Sequence, residues 1–153
     1  MNKNGIHIRT EYNELYIPIY DRITVITGDS ANGKTKMMRF LDVCKKAKNN
    51  NEKVTSNVDI NDIILVYDEC TLQLLLEKRV SKKIIFIDRF NKLYSEELLR
   101  FVRESNNIFI ILGHRNISEL TSQDAVLYMI CDGSNYRCEQ VYKNGILNPL
   151  QYT

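Results

Sequence analysis

The apolar residues of this chain fall into short runs, separated by polar segments that are rich in turn-forming residues. Four runs are apolar or β-branched throughout, at residues 23–27, 63–67, 84–87 and 108–112. Apolar residues at helical spacing follow three of these runs, over residues 34–48, 71–77 and 95–102. Runs without polar alternation are typical of strands that helices cover on both faces. The order of elements therefore predicts an α/β fold, a three-layer sandwich with a mainly parallel sheet.

The two ends of the chain have a different pattern, in which apolar and polar residues alternate. Alternation over residues 5–21 predicts an antiparallel hairpin. Pro18 suggests an edge position there, because proline lacks the N–H that a central strand donates. Residues 125–131 and 136–142 are strand-like, and the turn at 132–135 predicts that they form a second hairpin. We therefore expect antiparallel hairpins at both the N- and C-termini.

Composition is that of an ordinary globular protein. The 153 residues are enough for one domain with a substantial core, so a single domain is expected over residues 1–153. A net charge of +2 is too small to indicate a nucleic-acid or membrane partner. The basic face of the first predicted helix is interpreted as a solvated surface, with a nucleic-acid contact as the alternative. No run is long enough to cross a bilayer and no signal-peptide core is present, which favours a cytoplasmic protein without membrane insertion.

The cysteines form no C-x-x-C pair. They occur at Cys44, Cys70, Cys131 and Cys138. This usage is typical of reduced, mostly buried thiols in a cytosolic protein. A zinc site is disfavoured, because the two histidines, His7 and His114, lack the spacing of metal ligands.

Residues 28–35 carry the strongest chemical signal, because GDSANGKT matches the phosphate-binding pattern G-x-x-x-x-G-K-T between a predicted strand and a predicted helix. Gly28 and Gly33 permit backbone angles that turn successive N–H groups toward an anion. Lys34 is expected to reach the β- and γ-phosphates, and the Thr35 hydroxyl to bind Mg²⁺. The predicted phosphate-binding residues are Gly28, Asp29, Ser30, Ala31, Asn32, Gly33, Lys34, Thr35 and Lys36. The alternative is a glycine-containing turn with a chance lysine.

A magnesium site of this kind also needs a carboxylate at the end of a neighbouring apolar strand. Two strand ends compete, at Asp88 and at Asp68-Glu69. Asp88 is preferred because its strand is the cleaner apolar run and a further helix and strand follow it. Asp88 and Thr35 are therefore the predicted metal ligands. The alternative is that Asp88 only caps the end of its strand.

Together these motifs resemble the P-loop NTPase superfamily, and more narrowly its ABC-type, RecA-like and AAA-type ATPases. The resemblance rests on the leading hairpin, the Walker A motif at 28–35, the Walker B motif at 84–88 and the polar strand end at 113–115. It implies ATP and Mg²⁺ as ligands. It also implies that His114 contacts the γ-phosphate, with an ordinary polar loop residue as the alternative.

The chain departs from the ABC-type pattern at Arg89, where those ATPases carry a glutamate, and it lacks an L-S-G-G-Q-like signature and room for a helical subdomain. RecA-like ATPases place their catalytic glutamate on an earlier strand. That resemblance implies that Glu69 polarises the attacking water, unless Asp68 and Glu69 only cap the next helix. Arg89 and Arg115 are candidates for stabilising phosphoryl charge, with solvated surface arginines as the alternative.

These observations favour an ATP-binding protein that acts as a Mg²⁺-dependent ATPase coupled to an unidentified protein partner or a homo-oligomer. A nucleotide or small-molecule kinase is an alternative, because Asp88-Arg89-Phe90 is similar to the D-R-[FY] of thymidylate-kinase-like enzymes. A nucleotide-binding interaction module without hydrolysis is another. A GTPase is disfavoured, since Asn91 replaces the glycine of D-x-x-G and Tyr94 replaces the aspartate of N-K-x-D.

Overall fold

A computed structural model describes residues 5–27, 33–47, 53–113, 120–143 and 146–147 of the chain. Its strands are β1 (Gly5–Arg9), β2 (Glu14–Pro18), β3 (Ile23–Thr27), β4 (Thr55–Ser56), β5 (Ile63–Val66), β6 (Ile84–Ile87), β7 (Ile108–Leu112), β8 (Val126–Asp132), β9 (Asn135–Gln140), β10 (Tyr142–Lys143) and β11 (Ile146–Leu147). Its α-helices are α1 (Lys34–Ala47), α2 (Glu69–Lys78), α3 (Phe90–Leu93) and α4 (Glu96–Glu104). The strands β1–β3 and β5–β9 and the helices α1, α2 and α4 lie close to where the sequence pattern predicts them, whereas the single turn α3 and the short strand β11 were missed.

Nine strands form one sheet in the order β4-β1-β2-β9-β8-β3-β7-β6-β5. Parallel pairing joins β5, β6, β7, β3 and β8 in succession, and also joins β9 to β2. The pairs β1–β2, β1–β4 and β8–β9 are antiparallel. A separate small sheet holds β10 and β11.

The predicted three-layer sandwich with a mainly parallel sheet is wrong, because the chain forms one curled, mixed sheet with few helices. Both terminal hairpins exist, but they belong to the main sheet instead of standing apart from it. An isolated hairpin is marginally stable and leaves unpaired strand edges. Parallel pairing of β9 with β2 joins the two hairpins, and the antiparallel pairs within the hairpins, β1–β2 and β8–β9, make the sheet mixed.

The predicted edge position of Pro18 is also wrong, because β2 lies between β1 and β9. Pro18 is the last residue of β2, and the pairing with β9 covers only Glu14 to Tyr16. The missing N–H of Pro18 therefore costs no hydrogen bond to β9.

Two buried clusters lie on the two faces of the sheet. The first joins Met37 and Leu41 of α1 to residues of both hairpins, such as Ile8 and Leu127. The second joins α2 and α4 to central strands and includes no residue of β1, β2, β8 or β9 among those described. β6 is therefore buried throughout and β3 and β7 at all but one position each, whereas β1 and β2 combine buried residues with more exposed ones.

Arg22 holds the C-terminal end of α4 against the sheet. Its guanidinium donates hydrogen bonds of 2.8–3.2 Å to the carbonyl oxygens of Val102, Arg103, Ser105 and Asn107. The last carbonyls of a helix have no partner within the helix, so the cation satisfies groups that folding leaves unpaired. The guanidinium also lies 5.8 Å from the centroid of the Phe109 ring. No helix in the described ranges is long and apolar enough to cross a membrane.

We expect Arg22→Met to lower the free energy of unfolding by about 2–3 kcal/mol, because several carbonyls lose a charged donor at once. Urea denaturation followed by circular dichroism measures the change. Arg100→Met is the matched control, because Arg100 is an exposed residue of α4, the helix whose end Arg22 contacts. Its substitution should cost under ~0.5 kcal/mol. Equal effects of the two substitutions would contradict this role of Arg22.

Candidate functional site

The carboxyl ends of β3, β7 and β6 meet at one edge of the sheet because these strands run parallel and side by side. A cleft of about 280 Å³ opens there. It is lined by Lys34, Thr35, Asp88, Arg89, Asn91, Lys92 and Gly113. Crevices beyond the carboxyl ends of parallel strands are the usual place for ligands in open α/β sheets. We call this the first cleft.

Lys34 begins α1 and is buried, with 5% of its surface exposed. Its Nζ atom donates a 3.1 Å hydrogen bond to the carbonyl oxygen of Gly113, directly after β7. A buried ammonium group needs such partners, because burial removes its hydration. The first turn of α1 contains no acidic residue. The lysine charge and the positive end of the helix dipole therefore act together on the cleft.

Thr35 and Asp88 both line this cleft and offer it a hydroxyl and a carboxylate. Asp88 follows β6, and its backbone N–H donates to the Val66 carbonyl at 2.8 Å, which ties the ends of β5 and β6 together. The described residues contain no group of three or more His, Cys, Asp or Glu side chains suited to a metal. One hydroxyl and one carboxylate fit Mg²⁺, which commonly takes few protein ligands and completes its shell with water and phosphate oxygens.

Gly33 immediately precedes Lys34 and has φ of +88°, a conformation that side chains resist. A Cβ atom at this position would lie 3.1 Å from the Cβ atom of Cys131 on β8. Both the angle and the close approach therefore require glycine, as the motif predicted. Gly28, Asp29, Ser30, Ala31 and Asn32 lie outside the described residues.

The remaining predicted residues are not all brought to the cleft. Lys36 is exposed on α1 and does not line it. His114 and Arg115 lie outside the described residues. Glu69 is an exposed residue in the first turn of α2. It lines neither the first cleft nor the second cleft that adjoins it, which is described next.

A second cleft of about 440 Å³ adjoins the first and shares Thr35, Asp88 and Arg89 with it. Its other lining residues are Met38, Arg39, Asp42, Leu65, Tyr67 and Asp68. Asp68 caps α2, where its Oδ1 atom accepts a 2.8 Å hydrogen bond from the backbone N–H of Thr71. That bond, with one from the Thr71 hydroxyl, lowers the pKa of Asp68 below its usual value. The helix-capping interpretation is thus confirmed for Asp68.

Arg89 has an unusual backbone, with φ 55° and ψ 40° in the left-handed region. Its N–H donates a 2.8 Å hydrogen bond to the Oδ1 atom of Asp88. This conformation costs roughly 1–2 kcal/mol for a residue with a side chain. The next residue, Phe90, is buried and starts α3, so the turn brings the chain from the edge of the sheet back into the core. No sequence pattern indicates this strain, because arginine is not a typical left-handed residue.

Tyr12 is the functional candidate that sequence reasoning missed. β8 pairs with β3 as far as Thr27, which lies opposite Tyr128. Beyond that pair β8 continues for four more residues to Asp132, a length of ~13 Å at the usual rise of a strand. The β8–β9 turn meets the β1–β2 turn there, since Ser134 Oγ donates to the Tyr12 carbonyl at 2.7 Å. Tyr12 is 76% exposed in the β1–β2 turn, which lies beside the turn at the carboxyl end of β8. An exposed aromatic residue in a hairpin turn was the available signal.

The four cysteines are free, and two of them, Cys44 and Cys138, are buried as expected. Burial raises the pKa of the Cys44 thiol to about 11, which makes it unreactive. Cys70 and Cys131 are exposed, so the prediction of mostly buried thiols holds for only half of them.

Comparison of the chain with protein-family models and with curated proteins returns no match.

We expect Gly33→Ala to lower the free energy of unfolding by more than Gly133→Ala. Gly133 also has a positive φ, of 63°, but a Cβ atom there would meet nothing within 4 Å. The strained backbone alone should cost about 1–2 kcal/mol at either position, and the contact with Cys131 adds to the cost at Gly33. Urea denaturation of both variants measures the difference. Equal losses would contradict the tight packing between Gly33 and β8.

Proposed function

We propose that this protein binds ATP with Mg²⁺ in the first cleft and hydrolyses it to ADP and phosphate. The observation that carries the proposal is the convergence of the Lys34 ammonium, the Thr35 hydroxyl and the Asp88 carboxylate on one cleft. Asp88 lies far in sequence from the adjacent Lys34 and Thr35, and together the three groups match the chemical needs of a magnesium-bound triphosphate.

Each group has a distinct role in the proposal. Lys34 binds the β- and γ-phosphates, for which it exchanges or shares its hydrogen bond to Gly113. The amino end of α1 adds its dipole. Thr35 and Asp88 would hold Mg²⁺, which supplies charge neutralisation to the phosphates when bound.

Hydrolysis proceeds by in-line displacement at the γ-phosphorus. The water oxygen forms a bond to phosphorus while the bond to the β–γ bridging oxygen breaks. ADP leaves with the electron pair of that bond, and the water proton passes to solvent. Lys34 stabilises the negative charge that develops on the leaving oxygen.

Tyr12 is proposed to stack on the base of the nucleotide. Its ring is exposed at the tip of the hairpins, and the hydrogen bond from Ser134 fixes its backbone. Adenine is preferred to guanine because Tyr94 occupies the place of the base-reading aspartate in N-K-x-D.

A kinase is the second candidate, and the observation that favours it is the size of the second cleft. About 440 Å³ is far more room than one attacking water needs, at roughly 30 Å³ per water. Addition of nucleoside monophosphates to an assay of ADP formation distinguishes the two functions, since only a kinase is accelerated by an acceptor.

We expect Lys34→Met to weaken ATP binding by about 10- to 100-fold, because charge-assisted hydrogen bonds to the phosphates are lost. Isothermal titration with ATP, in Mg²⁺ and again in EDTA, measures the effect. Lys36→Met is the matched control, because Lys36 is exposed and lies outside the cleft. Wild-type protein that binds no ATP, or variants that bind equally well, would refute the proposal.

Tyr12→Ala should weaken ATP binding by about 5- to 100-fold, the range expected for loss of one base–aromatic stack. Tyr12→Phe should bind as the wild type does, because the ring remains. Inorganic tripolyphosphate should bind both variants equally, since it has no base. A parallel loss of tripolyphosphate binding by Tyr12→Ala would show that the substitution disturbs the phosphate site instead.

A further inference from the structure

Arg89 lies at the junction of the two clefts. Thr35, Asp88 and Arg89 are the residues that line both. In the proposed function the first cleft holds the triphosphate, so the junction is where the γ-phosphate faces the second cleft and the incoming nucleophile. A group at this position can contact the phosphoryl group during transfer.

The backbone holds Arg89 in place at a cost. Its left-handed conformation is stabilised by the N–H bond to Asp88 and by the first turn of α3, where Lys92 and Leu93 donate to the Arg89 carbonyl at 2.9 and 3.1 Å. The Phe90 side chain, which follows Arg89, is buried in the cluster under α2 and α4 and so fixes the turn to the core. Non-glycine residues held in this region are found preferentially at functional sites. Glycine or asparagine would adopt the same turn with less strain, so the conformation alone does not call for arginine.

The guanidinium of Arg89 is not committed to another part of the fold. Among the residues that the structure describes, Arg89 makes no ion pair, whereas Arg22 is bound by backbone carbonyls and Arg137 by Glu139. Arg89 is also exposed toward solvent. A cation in such a cleft is available to an anionic ligand.

We propose that Arg89 is a catalytic residue that binds the γ-phosphate of ATP and stabilises the charge that develops on it during transfer. This inference rests on the proposed binding of ATP in the first cleft. A guanidinium does not lose its proton under ordinary conditions, so Arg89 acts through charge and hydrogen bonding and not as a base. Because ADP lacks the γ-phosphate, Arg89 also makes the protein prefer ATP to ADP.

The test compares Arg89→Gly and Arg89→Asn with the wild type. Both replacements accept the left-handed backbone, so neither should destabilise the fold, and both remove the guanidinium. We expect the ratio of ATP to ADP affinity to fall by at least about 10-fold and the rate of ADP formation by about 100- to 1,000-fold. Arg89→Lys should retain part of the ATP preference, and added guanidinium ion should partly restore the rate of Arg89→Gly.

Arg79→Gly is the matched control. Arg79 also has a left-handed backbone, with φ 46°, but it ends α2 and lines neither cleft. The Arg79→Gly variant should be more stable than the wild type, as Arg89→Gly should, because glycine relieves the backbone strain. Its ATP preference and turnover should stay at the wild-type values.

Unchanged ATP preference and turnover in both Arg89→Gly and Arg89→Asn would overturn the role of Arg89 and leave ATP binding intact. The same loss in Arg79→Gly would also overturn it. Failure of the wild type to bind ATP would overturn the proposed function and this inference together.

Discussion

Parallel pairing of β3 with β7 on one side and with β8 on the other is the constraint on which the rest of the structure depends. It places the end of β3 between two strands that finish at the same edge. Gly113, whose carbonyl accepts the Lys34 hydrogen bond, directly follows β7, and β8 contains Cys131 beside Gly33. The start of α1 therefore contacts both neighbouring strands of β3. The site depends on these contacts because Lys34 and Thr35 reach the cleft only if α1 begins at this point.

The electrostatics of the cleft follow from the same arrangement. Lys34 is buried, and the first turn of α1 brings no acidic residue to offset it. The carboxylate that enters the cleft, Asp88, is tied to the turn that follows it through the Arg89 N–H. Among the described residues that line the first cleft, Lys34, Arg89 and Lys92 thus accompany one carboxylate, and this combination suits a polyanion together with a divalent cation.

The hairpin strands of the sheet and its central strands are covered by helices in different ways. α1 covers one face over both halves, whereas α2 and α4 cover the opposite face of the central strands. The hairpin strands therefore keep polar and aromatic residues on their uncovered side, among them Tyr16, which has 36% of its surface exposed. The hairpins also extend the sheet past the end of β3, and Tyr12 lies in a turn at the tip of that extension. The parallel pairing of β2 with β9 joins the two hairpins into one sheet, and the proposed base contact depends on it.

The residue pattern by itself determined most of the local elements and several of the residues that line the first cleft. Apolar runs located the central strands, the spacing of apolar residues located α1 and α4, and the glycine–lysine motif identified Gly33, Lys34 and Thr35, because these features depend on neighbours in sequence. Asp88 was also predicted as a site residue, because it directly follows an apolar strand. Tertiary structure alone decided that the hairpins join the main sheet, that Glu69 lies outside both clefts and that Arg89 stands at their junction in a strained conformation. Those outcomes depend on which strands pair over long distances and on how a turn is packed, and local sequence preference does not encode either.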